Sequence, residues 1–114
     1  RQGILARDPA GGRSTSYILI ASTADALGAI ARWTLAYADM AVRDGSKMLT
    51  PEEGRIRTER IQAIGREIQE LGRDLNAPPT YADFESRLQA LQEFGFHPDG
   101  RLVSAVAQAI GRGL

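Results

Sequence analysis

Cysteine is missing from this chain, and histidine, lysine and tryptophan occur once each, as His97, Lys47 and Trp33. Without thiols there is no disulfide staple, no thiolate nucleophile and no cysteine-ligated zinc or iron–sulfur centre. Charge of one sign is lacking too, because 14 basic residues balance 14 acidic ones. A neutral chain has no global field to hold nucleic acid or anionic lipid, so such binding would have to rest on a local patch. Long apolar runs are also absent. The most apolar stretch, Ser14 to Val42, is broken by Asp25, Arg32 and Asp39. Its longest uncharged run is about eleven residues, against the roughly twenty that span a bilayer. Nor does that stretch end at a cleavage site, as a secretory signal would. No membrane insertion is expected.

What remains is 114 residues, 43% hydrophobic and 25% charged, the composition of one globular domain. Thirteen of the fourteen basic residues are arginine. Coding in a GC-rich bacterial genome accounts for that bias, and selection of planar, bidentate guanidinium groups is the functional alternative. The sequence opens on Arg1 rather than methionine, so either a piece of a larger bacterial protein or a processed product is expected, with the former favoured. A cytoplasmic setting is expected as well, with a fragment of a secreted protein as the alternative.

Four helices can be read along the chain, giving an all-α, four-helix bundle. Residues 1–13 contain Asp8-Pro9-Ala10-Gly11-Gly12 and read as a flexible arm or linker, leaving 14–114 as a single helical domain. The first helix is expected from about Thr15 to Arg43, about 43 Å long, capped by Ser14, Thr15 or Ser16 and stopped at Asp44-Gly45. Thr50-Pro51-Glu52-Glu53 opens the second with a capping threonine, a proline at the first position and a glutamate placed to close the capping box. Its apolar seam is Ile61, Ile64, Ile68, Leu71 and Leu75, and Asn76-Ala77-Pro78-Pro79 ends it. Thr80 and Asp83 start a third helix with the stripe Tyr81, Phe84, Leu88 and Leu91, stopped by Gly95. After the turn His97-Pro98-Asp99-Gly100, a fourth carries Leu102, Val103, Val106, Ile110 and Leu114. No strand-like alternation is evident elsewhere. Short connections make the first two helices a long antiparallel hairpin, which the two shorter helices cover in part.

On a helical wheel the first helix is apolar around more than half its circumference, so it must be covered on at least two sides. One wall is small: Ile20, Ala24, Leu27, Ala31, Leu35, Ala38 and Val42. The spacing of Ala24, Ala31 and Ala38 matches that of Gly65 and Gly72 on the second helix, predicting a close backbone approach there. The other wall, Leu19, Ala26, Ile30, Trp33, Tyr37 and Met40, is bulky. The third and fourth helices could cover Ile30, Trp33 and Tyr37 as core; alternatively, because Trp, Tyr and Met are enriched at interfaces, Ile30, Trp33, Tyr37 and Met40 are candidate contacts with a protein partner. Asp25 and Arg32 join them, because two copies crossing antiparallel near Gly28 would set Asp25 of one against Arg32 of the other.

Catalytic motifs are thin. Gly11-Gly12-Arg13-Ser14 resembles only the tail of a phosphate loop, with Arg13 where lysine is needed and Arg7 in place of the first glycine. His97 sits in a turn with no nucleophile readable beside it, and the bundle metal pattern of Glu and His at three-residue spacing is missing. Asp25 and Asp39 stand about 21 Å apart along the helix, beyond the roughly 5–10 Å of paired-carboxylate chemistry. No cofactor is expected. The second helix carries Arg55, Arg57 and Arg60, a candidate contact set for nucleic acid, although interleaved glutamates read as a solvated face. The sequence therefore favours a non-catalytic interaction, adaptor or oligomerisation domain, with a nucleic-acid-binding helical domain as the alternative.

Overall fold

Helix α1 begins later than its apolar pattern suggests. In the computed structural model, which describes residues 4–7, 17–45, 50–73 and 77–113 and, of these, the side chains of 19–39, 50–73 and 77–113, α1 runs Thr23–Gly45. Tyr17-Ile18-Leu19-Ile20 instead forms a strand, β2, antiparallel to β1 (Ile4–Arg7), with Ile4 opposite Ile20 and Leu5 opposite Leu19. Part of the segment expected to be an arm is therefore a strand, and residues 17–22, expected in the helix, are not helical. The physical reason is local. An aromatic and two β-branched residues in four favour the extended state, and the helix start is fixed downstream by Ser22 and Asp25. Ser22 Oγ accepts the Asp25 N–H at 3.1 Å, and Asp25 Oδ2 accepts the Ala21 N–H at 3.2 Å. At 23 residues, α1 is about 35 Å long.

Helix α2 (Pro51–Leu71) opens as its residues dictate. Thr50 Oγ1 accepts the Glu53 N–H at 3.1 Å, with Pro51 at the first helical position. The box does not close on backbone, since the Thr50 hydroxyl donates to Glu53 Oε1 at 3.0 Å. The reciprocal box is formed at α3 (Tyr81–Glu93), where Asp83 N–H donates to Thr80 Oγ1 and Thr80 N–H donates to Asp83 Oδ2. Gly95, at φ +80°, ends α3. The Phe96 N–H reaches back to Leu91 O at 3.0 Å and the Gly95 N–H to Gln92 O at 2.9 Å, a Schellman termination. Its apolar partners, Leu91 and Phe96, are both buried. Helix α4 (Gly100–Arg112) is capped by Asp99, which accepts the Arg101 N–H at 2.8 Å.

The fold is an all-α four-helix bundle with this small ribbon on one side. Helix α1 packs most extensively on α2; α3 lies against α2, α4 against α1, and β1 along α4. The molecule is flat, 49 × 35 × 16 Å. Gln62 Nε2 donates to Leu35 O at 3.4 Å, while Gly65 faces Thr34 and Gly72 faces Ala24. Partner numbers thus rise on α1 as they fall on α2, so the two helices are antiparallel. The core joins Ile20, Leu27, Ile30 and Ala31 to Ile61 and Ile68 of α2, Phe84 and Leu91 of α3, and Leu102 and Val106 of α4.

The small wall of α1 meets the α2 glycines as its spacing predicts. A β-carbon on Gly72 would stand 3.0 Å from Ala24 Cα, and one on Gly65 would stand 3.6 Å from Ala31 O. The glycines let the two backbones approach where larger side chains would hold them apart. Thr34 completes that contact. It is fully buried, and its hydroxyl is satisfied by donating to Ile30 O at 2.8 Å, within its own helix.

Candidate functional site

The bulky wall of α1 divides between core and edge. Ile30 is 0% exposed and cannot touch a partner in the folded protomer, which corrects its assignment to an interface. Trp33 and Tyr37 are half-buried and packed on the core. The Trp33 ring lies 5.2 Å from that of Tyr37 and 5.4 Å from that of Phe96, so the turn between α3 and α4 supplies its cover. The side chain of Met40 lies outside the described residues, as do Gly11-Gly12-Arg13-Ser14, Leu75 and Leu114.

Asp25 and Arg32 are exposed and line one depression of about 350 Å³ at the end of the hairpin where α1 begins and α2 finishes. Ala24 and Gly28 of α1 and Gly72 at the end of α2 give it small residues, Gln69 and Arg73 rise on the α2 side, and Leu19 of β2 stands at its margin. Leu19 is 62% exposed, the most open of the large apolar side chains described. The sequence pattern put Leu19 in the helical arc; only its place in a strand, whose side chains alternate between faces, turns it outward while Ile20 is buried.

The charges here are differently engaged. Arg73 pairs with Glu70 at 2.9 Å. Asp25 Oδ2 accepts the Ala21 N–H. The Arg32 guanidinium rests over Gly28, with NH1 3.3 Å from where a β-carbon there would stand, and among the described residues no acidic side chain pairs with it. A planar donor fork above small residues, next to an exposed leucine, can take a carboxylate and a neighbouring apolar side chain together.

The arginines proposed for nucleic acid do not share a face. At 100° per residue, Arg57 and Arg60 lie about 60° apart, and Arg55 is at least about 140° from both. Arg55 is also committed, bonding Glu59 Oε1 at 2.8 Å and the Glu52 carboxylate. Those two carboxylates, Glu52 foremost, raise its pKa and hold it charged. Arg57 is half-buried and Arg60 exposed. A second shallow depression, about 320 Å³, lies between α2 and α3, lined by Ala63, Arg66, Glu67, Glu70, Leu71 and Arg87. Arg87 reaches Glu67 across it at 3.7 Å, so its charges are largely matched. His97 is exposed in its turn. Among the described residues, no group of three His, Asp or Glu side chains is placed to hold a metal ion, and no helix is long and apolar enough to cross a membrane. Compared with family models, with curated proteins and with solved structures, the chain matches none.

Proposed function

We propose that this chain is a non-catalytic protein–protein interaction domain, an adaptor or assembly unit, and that the depression at the head of the α1–α2 hairpin is its docking surface. The observation that carries the reading is the placement of Leu19, 62% exposed, with Arg32 and Arg73 around the same depression of about 350 Å³. An apolar anchor beside the Arg32 guanidinium, which no acidic side chain among the described residues engages, supplies both burial and orientation for a partner side chain. The arginine bias, thirteen of fourteen basic residues, is in keeping with GC-rich bacterial coding, and a bacterial, cytoplasmic setting is part of the proposal.

Selection from a displayed random-peptide library against the purified chain tests the reading. The expected winners carry an apolar residue beside Asp or Glu. Their affinity should fall at least about tenfold in Arg32→Glu and in Leu19→Thr. Absence of enrichment, or winners that bind both variants as well as wild type, overturns it.

A further inference from the structure

We infer that the occupant of this depression is a second copy of the chain, docked with its α1 antiparallel across Gly28, so that Asp25 of each protomer meets Arg32 of the partner subunit. The inference rests on the docking reading above and narrows it to self-association.

Three features carry it. Asp25 and Arg32 are opposite charges seven residues apart, both exposed and both lining the depression. Two turns of helix separate them by about 10.5 Å, so they lie on one side of α1 with Gly28 between. A two-fold axis crossing α1 there exchanges positions 25 and 32. The surface is therefore complementary to itself when the helices run antiparallel, and each favourable contact is made twice. In a parallel pairing like charges would face each other.

The chemistry of the two side chains fits the same arrangement. One carboxylate oxygen of Asp25 accepts the Ala21 N–H, and the exposed carboxylate keeps acceptor capacity for a guanidinium donor. Arg32 covers Gly28 in the protomer. Swinging outward to reach Asp25 of the partner subunit uncovers the one position on this line without a side chain, where a second helix can come close. Leu19, at the margin of the depression, is then covered by the incoming helix. The contact is small, so a weak dimer that grows with concentration is expected.

Sedimentation velocity over a micromolar-to-millimolar series tests this with wild type, Asp25→Arg, Arg32→Asp and an equimolar mixture of the two variants, each shown to be helical by circular dichroism. Wild type should self-associate, and each reversal should weaken the dimer at least about tenfold by opposing like charges twice. The mixture should recover a dimer, because one protomer then presents two arginines to two aspartates. A wild type that stays monomeric at millimolar concentration, reversals that dimerise unchanged, or a mixture that does not recover overturns the inference. If Asp25→Arg fails to fold for want of its cap, Arg32→Asp decides, since Arg32 takes no part in that cap; unchanged dimerisation in it is fatal. A monomeric wild type whose selected peptides still require Arg32 and Leu19 assigns the depression to a different chain, so the inference falls and the docking reading stands.

Discussion

A β-carbon placed on Gly65 would stand 3.1 Å from Cγ2 of Thr34, closer than side chains ordinarily approach. This contact between a glycine on one helix and a buried threonine on the other is one of two close approaches of α1 and α2, the other being Gly72 on Ala24. Alanine in place of a helical glycine is ordinarily worth about 1 kcal/mol. Gly65→Ala should return less than that, because the Thr34 methyl must give way. Thr34→Ser removes that methyl and keeps the hydroxyl bond to Ile30. In a urea-denaturation double-mutant cycle the two changes should couple favourably by about 1 kcal/mol. Additive effects would mean that the helices slide apart freely.

Gly72→Ala should behave worse than Gly65→Ala. What its new methyl would meet is the backbone of Ala24, with Cα at 3.0 Å, and backbone cannot rotate away. A loss of about 1–3 kcal/mol, typical of overpacking, is expected from the shift in urea midpoint at constant m. A stabilised Gly72→Ala would contradict the close approach.

Trp33 reports on the turn after α3. Phe96, 3% exposed, packs against it with the rings tilted by 54°, and the turn depends on Gly95 at φ +80°. Phe96→Ala should cost about 3 kcal/mol and red-shift Trp33 emission. Gly95→Ala should cost about 1 kcal/mol and leave the emission maximum of the folded state in place. Trp33→Ala should lower the melting temperature without weakening binding at the Arg32 depression, which separates core from docking surface.

Acid should loosen the starts of α3 and α4. The Asp83 carboxyl is held below its ordinary pKa by hydrogen bonds from Thr80, backbone first, and Asp99 by its side-chain hydrogen bond to Arg101 above all. A carboxyl with a depressed folded-state pKa stabilises fully above its unfolded value of about 3.9 and loses that contribution as pH falls through the folded value. Wild type should therefore lose stability below about pH 4, and its advantage over Asp83→Asn and over Asp99→Asn should shrink in the same range. Urea midpoints against pH, with carboxyl-carbon NMR titrations, check both. An advantage that is constant down to the lowest pH would remove the carboxylates from the account.

The helices were legible where single residues decide an end. Thr50-Pro51, Thr80 with Asp83, and Gly95 each fix a terminus by local hydrogen bonding or a left-handed turn, so α2 begins, and α3 begins and stops, where those residues predict. The Ala24–Gly72 contact was legible for a related reason, a shared seven-residue spacing on two facing helices. The ribbon was not. Its strands are four residues each, too short for alternation to stand out, and Leu19 and Ile20 also fit the helical arc. Ile30 was misplaced because a wheel shows that an arc is apolar without showing which neighbours cover it. Phe96 lies in a turn, outside every stripe, and so its cover over Trp33 had no periodic signal. Asp25 and Arg32 were visible as a charged line; their shared depression depends on Gly72, Arg73 and Leu19, which only the tertiary fold brings to them.

The seating of β1 along α4 bears on how the chain acquires its structure. The two elements stand about ninety residues apart in sequence, so closing that contact carries a large loop entropy and belongs late on the pathway, after the local α1–α2 hairpin. A ribosome releasing this segment would therefore hold a helical pair that is already formed and a β1 still waiting for its seat until α4 emerges. Opening of that seam should be the cheapest large fluctuation of the finished molecule, seen as early amide exchange in the ribbon.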